Sequence, residues 1–107
     1  IRNFLPHLPH LQKNRYKDGK GIIKNLRALH AEGKLNELHD RFFATPRPTE
    51  ELYDLQKDPN ETVNLSASPK HAKTVRKLRQ AMYEWMESSR DLGLIPEPIL
   101  EYNYFSK

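Results

Sequence analysis

His7 and His10 stand three residues apart near the start of the chain, and such a pair can do two kinds of chemistry. Two imidazoles at helical spacing can hold a metal ion, and two on an extended segment can donate or accept hydrogen bonds as loop residues. Pro9 lies between them and denies them a helix face. The chain has no cysteine and no third ligand close by, so the metal reading lacks a ligand set. From spacing alone the pair therefore reads as ordinary loop residues. His30, His39 and His71 fall on predicted helices and read as surface or packing residues.

A second chemical signal is charge. Residues 1–48 hold 10 Lys/Arg against 4 Asp/Glu, whereas residues 49–107 hold 8 against 10, giving +6 and −2 within a net +4. Six of the bases, Lys13, Arg15, Lys17, Lys20, Lys24 and Arg27, fall within fifteen residues opposed only by Asp18. Such a run reads as a solvated face or as a surface for an acidic polymer or membrane. Nucleic acid is disfavoured, because only Tyr16 lies among the bases and no series of aromatic residues alternates with them.

The third signal is Glu51-Leu52-Tyr53-Asp54-Leu55-Gln56-Lys57-Asp58-Pro59-Asn60-Glu61-Thr62-Val63-Asn64-Leu65. Alternation of Leu52 with Tyr53 and Leu55 predicts a short strand of period two. Asp58-Pro59 predicts a turn in which Asp58 accepts amide protons, with Glu61 and Asn64 satisfying backbone groups of the connection. Asn60-Glu61-Thr62 and Asn64-Leu65-Ser66 also have the form of N-glycosylation acceptors.

This segment resembles the sulfatases of the alkaline-phosphatase-like superfamily. In their C-terminal subdomain the order Glu-Leu-Tyr-Asp-Leu, two variable positions, Asp-Pro, one more, Glu, two more, Asn-Leu leads into the last long helix. The following residues, Trp85-Met86 and then Asp91-Leu92-Gly93-Leu94-Ile95-Pro96-Glu97, are closest in pattern to N-sulfoglucosamine sulfohydrolase and its bacterial relatives. The resemblance is strong from Glu50 to Glu97 and weak from Ile1 to Gln12. It implies a parent enzyme that hydrolyses sulfate esters or N-sulfates, on sugars, with formylglycine and calcium in an N-terminal catalytic domain. It also implies that the extended segment carrying His7 and His10 approaches that domain and contacts substrate. The formylglycine motif, Cys/Ser-x-Pro-x-Arg, does not occur here: Ser68-Pro69 places the proline one position too early. A carboxylate cluster resembling the family's metal site is likewise missing, so no catalytic or metal residue is assigned to this piece. A parent of this family would be periplasmic, secreted or lysosomal. The competing reading is an independent binding module for acidic polysaccharide, driven by the basic run.

These residues need elements to position them. Ile1–Leu5 reads as a strand end, and Pro6 and Pro9 force an extended arm to about residue 12. Residues 13–21 read as a flexible basic loop. Ile22, Leu26 and Leu29 predict a helix to Ala31, stopped by Gly33, and Leu35, Leu38 and Phe42 a second, ended by Pro46 and Pro48. After the strand and turn of residues 49–68, Ser68 and Pro69 open a long helix to about residue 93. Its stripe of Ala72, Val75, Leu78, Met82 and Trp85 reads as core, offsetting charges that run against the helix dipole. The tail, 94–107, reads as a surface strap with Tyr102, Tyr104 and Phe105 as anchors. Together these give a single α+β subdomain: a small antiparallel sheet remnant covered by the long C-terminal helix, with a helical excursion before the last strand. At 36% hydrophobic content its core should be thin, and no apolar run is long enough for a membrane span.

Overall fold

The computed structural model describes residues 1–105, as two compact units that meet in sequence between Ser68 and Pro69. In the first unit, Asn14 caps a one-turn helix α1 (Arg15–Asp18) by accepting from Lys17 N–H. The helix α2 (Gly21–Ala31) follows after Gly19 and Lys20, so the predicted flexible loop of residues 13–21 is instead helical over 15–18 and again at Gly21. At its C-terminus Gly33 takes φ 65°, and Gly33 N–H and Lys34 N–H donate to the carbonyls of His30 and Leu29. That pair of bonds satisfies two carbonyls the helix end would otherwise orphan, and it needs a residue without Cβ strain. Ile22 is 70% exposed, and Ile23, Leu26 and Leu29 are the half-buried apolar positions of the helix. Asn36 caps α3 (Glu37–Asp40), whose path continues in turns to Ala44. The His30 ring stacks on Phe43 at 4.1 Å, and its Nδ1 lies 2.7 Å from Asp40 Oδ1, which ties α2 to this turn.

The expected sheet is absent among the described residues, so the α+β assignment is corrected to a helical fold. The only strand-like feature among the described residues is one antiparallel bridge between Arg2 and Glu50, flanked by Asn3 N–H to Thr49 O at 2.9 Å and Glu51 N–H to Ile1 O at 3.0 Å. The physical reason lies in what residues 52–58 bond to. Leu52 N–H donates to the Asn64 side chain and its carbonyl accepts from Leu65 N–H, so a loop takes the place of a strand partner. Two residues later Asp54 opens a turn, its carbonyl accepting from both Lys57 and Asp58. Alternation is a strand signal only where a neighbouring edge can complete the ladder.

The second unit begins with a 3-10 turn, Pro69–His71, that runs into α4 (Ala72–Ser89). At about 1.5 Å per residue these 18 residues span roughly 27 Å, shorter than the sequence suggests. The helix stops before Gly93 because Arg90 turns left-handed at φ 53°, with Arg90 and Asp91 N–H donating to Glu87 and Met86 carbonyls. Its apolar stripe is not core: Leu78 is 53% and Trp85 61% exposed, and Val75 and Met82 are half-buried. The tail is helical too, with α5 (Glu97–Leu100) running into a wider turn to Phe105. Tyr102 is exposed, while the side chains of Tyr104 and Phe105 lie outside the described residues. No helix among the described residues is long and apolar enough to cross a membrane.

No hydrophobic side chain among the described residues is fully buried; the buried residues are Asn3 and Glu51, each 8% exposed. The first unit is therefore organised around hydrogen bonds rather than an apolar core.

Candidate functional site

Pro46-Arg47-Pro48 contains one backbone N–H in three residues, that of Arg47, and it donates to Pro6 O at 2.7 Å. The Arg47 side chain then wraps the same arm, with Nε 2.7 Å from Leu8 O and Nη2 3.1 Å from Leu5 O. Leu11 N–H closes the arm onto Phe42 O at 2.9 Å. The arm expected to be extended turns at Pro6-His7, where Leu8 N–H donates to Leu5 O at 3.1 Å, and a single planar guanidinium gathers the carbonyls of Leu5 and Leu8. The result is a fixed place for His10, whose Nδ1 lies 3.5 Å from Arg47 Nη1.

Beneath His10 is the buried carboxylate of Glu51. Asn3 Nδ2 donates to its Oε2 at 2.7 Å, and the Tyr53 hydroxyl to its Oε1 at 2.6 Å. Glu51 and Tyr53 reach each other because residues two apart on extended backbone share a face. Burial pushes the Glu51 carboxyl upward, yet the hydrogen bonds from Tyr53 and Asn3 hold it below the usual range. The same burial and the same hydrogen bond push the Tyr53 phenol far above its ordinary value, so it stays protonated. Asn3 Nδ2 also reaches Pro48 O at 2.6 Å, tying this carboxylate to the Arg47 segment.

Two adjoining cavities, of about 470 Å³ and about 430 Å³, share His10, Arg41, Glu51 and Tyr53 in their walls. Arg41 is steadied by Thr62 O at 2.6 Å from Nη1 and by Glu37 Oε1 at 3.8 Å from Nη2. Thr62 is placed in turn by Asp58, which accepts from Thr62 N–H and Oγ1 and from Val63 N–H at 2.8–2.9 Å. Those backbone bonds hold the Asp58 carboxyl below its ordinary value. Asn64 also satisfies backbone groups as expected, accepting from Leu52 and Ser66 N–H and donating to Glu50 O. An amide so engaged is a poor glycosylation acceptor. The positive φ of this turn falls at Glu61, at 53°, the residue after Asn60.

Of the two histidines named from sequence, His10 faces these cavities, whereas His7 is exposed on the same arm and lines neither. Arg41 and Arg47 were missed. The signal for Arg47 was available in its two flanking prolines; Arg41 had none, since its placement depends on Thr62, 21 residues away. The arrangement places the Arg41 guanidinium and the His10 imidazole beside a carboxylate whose two oxygens already accept from Asn3 and Tyr53, which leaves the guanidinium and the imidazole to meet an anionic or hydroxylated group. Among the described residues no three His, Asp or Glu side chains are grouped so as to hold a metal ion.

Over 97 residues the chain is 33% identical to an ulvan-active sulfatase of Formosa agariphila, covering 91% of this chain and 16% of that protein. A second ulvan-active sulfatase of the same organism is 44% identical over 56 residues, covering 50% of this chain and 11% of its own length. The chain is thus homologous to a segment of these sulfatases and spans a small part of their length. No family model and no solved structure matches it. Both relatives are described by activity on ulvan, and neither as an N-sulfoglucosamine sulfohydrolase.

Proposed function

We propose that this chain is the C-terminal subdomain of a sulfatase acting on sulfated sugars, and that its arm and cavities form one wall of the substrate pocket. The observation that carries this reading is the convergence of His10, Arg41 and the Glu51–Tyr53 pair on one concavity, in a chain homologous to sulfatases. Arg47 Nη1, as donor, favours the tautomer in which His10 Nδ1 accepts and Nε2 carries a proton toward ligand oxygens. Arg41 supplies the charge for an anionic group on the sugar. Nucleophile and calcium ligands belong, in this reading, to the N-terminal catalytic domain of the parent. The Glu51 carboxylate and Tyr53 phenol take a supporting part: engaged with each other, they shape the wall and abstract no proton.

The test uses the full-length enzyme. His10→Ala and Arg41→Ala should lower kcat/KM for a sulfated oligosaccharide by about tenfold or more, while turnover of a small aryl sulfate changes little, because that substrate lacks the contacting sugar. His7→Ala, on the same arm, should show the same selectivity with a smaller loss. Equal losses on both substrates would mean that the arm is structural.

A further inference from the structure

The basic run lies outside the cavity at His10, and folding gives it a definite form. Asp18, its one acid, is committed to Arg27, which donates to Oδ1 from Nε at 3.0 Å and from Nη2 at 2.8 Å. Asn14 N–H donates to the other oxygen at 3.1 Å, and Arg27 Nη2 also reaches Gln12 O at 3.2 Å. The one neutralised base is therefore the half-buried one, and its bonds lock α2 against α1. Lys13, Arg15, Lys17, Lys20 and Lys24 stay exposed. No carboxylate among the described residues lies within ion-pairing distance of Arg15, Lys17, Lys20 or Lys24. Fold stability gains nothing from such a set, since like charges within a Debye length of about 8–10 Å repel one another.

An aromatic ring sits within the same surface. Tyr16 is 76% exposed, with Lys20 Nζ 4.6 Å from its ring centroid. The cation holds the ring among the lysines while most of it remains in solvent. A ring so placed can stack on the C–H face of a sugar while flanking ammonium groups meet its anionic substituents. Single-stranded nucleic acid would call for several such rings along a groove.

We propose that α1 and the first turns of α2 form a binding surface for a sulfated polysaccharide, distinct from the cavity at His10. The surface holds a polymer by charge and ring stacking, without chemistry. It does not depend on the pocket-wall reading, because binding is measured without turnover.

The experiment titrates the full chain with a heparin oligosaccharide at several salt concentrations, against uncharged dextran and single-stranded DNA of matched charge. Lys17→Gln/Lys20→Gln/Lys24→Gln should weaken heparin binding by about tenfold or more and flatten its salt dependence. Tyr16→Ala should weaken it about threefold at unchanged salt slope, and dextran should not bind. A control variant, Lys70→Gln/Lys73→Gln/Lys77→Gln, removes the same charge from exposed positions of the second unit and should stay within about twofold of the parent. Circular dichroism of each variant separates lost binding from lost helix; where the triple variant melts, Lys20→Gln/Lys24→Gln is read instead. If the control loses as much as the triple variant, the interaction is net charge alone and the proposal falls. DNA binding as tight as heparin's, abolished by the same substitutions, would overturn the polysaccharide assignment.

Discussion

The two units of this chain solve the problem of order in opposite ways. Residues 1–68 contain little regular structure, yet Asn3 and Glu51 are buried and the Arg47 guanidinium, the Asn64 amide and the Asp58 carboxylate each bind several backbone groups. From Pro69 onward a regular 18-residue helix carries a stripe whose largest member, Trp85, stands 61% in solvent. The first unit is specified by particular polar contacts, the second by the local bonds of a helix. The contrast teaches that regular secondary structure and burial need not go together, and it predicts where substitutions hurt.

The largest expected effect is at Glu51. Glu51→Ala leaves the Asn3 amide and the Tyr53 hydroxyl without their acceptor, at a cost of about 2–4 kcal/mol in urea unfolding, because bonds to charged groups contribute about 1.5–3 kcal/mol each and the donors are partly re-solvated. Its pH dependence has a definite sign. The folded carboxyl lies below its ordinary value, so its contribution is complete above the unfolded pKa of about 4.3 and is lost as pH falls through the folded value. Unfolding midpoints of the parent should therefore drop below about pH 4.3 more steeply than those of Glu51→Gln. Parallel curves would show that Glu51 is not the centre of the first unit.

Arg47→Lys comes next, at about 1–3 kcal/mol, since an ammonium cannot span the carbonyls of Leu5 and Leu8 together. Amide exchange of Leu8 and Leu11 should quicken in that variant while exchange in α4 stays as it was. Gly33→Ala tests a smaller feature, the left-handed helix end, and should cost about 1 kcal/mol by thermal melting. Trp85→Ala should be the mildest, within about 0.5 kcal/mol in this chain, against the 3–5 kcal/mol that a buried tryptophan would cost. A red-shifted tryptophan emission spectrum in the parent checks the same point. A loss of several kcal/mol at Trp85 would erase the contrast between the units.

Much of the local structure was legible in the sequence. Gly33 marked the end of α2, Pro69 the start of the helical segment that runs into α4, and Asp58-Pro59 with Asn64 the turn whose bonds the structure displays. Each of these signals acts within a few residues, through φ preference or a short side chain reaching nearby backbone, so composition and order are enough to fix them. The resemblance to sulfatases was legible for the same reason, because it rests on the ordered run from Glu51 to Leu65 read as a string.

The tertiary structure alone decided the rest. Leu52–Leu55 alternates as a strand does, but its backbone found Asn64 and Leu65 instead of a neighbouring edge. The α4 stripe has the period of a buried face, and period states which side chains share a face without stating whether anything covers it. Arg41 joined the cavity through Thr62, and His10 met Glu51 only because Arg47 drew the arm back across some 40 residues of chain. Local propensity is written residue by residue; pairing and burial depend on which distant group arrives to complete a bond or exclude water, and no single segment carries that information.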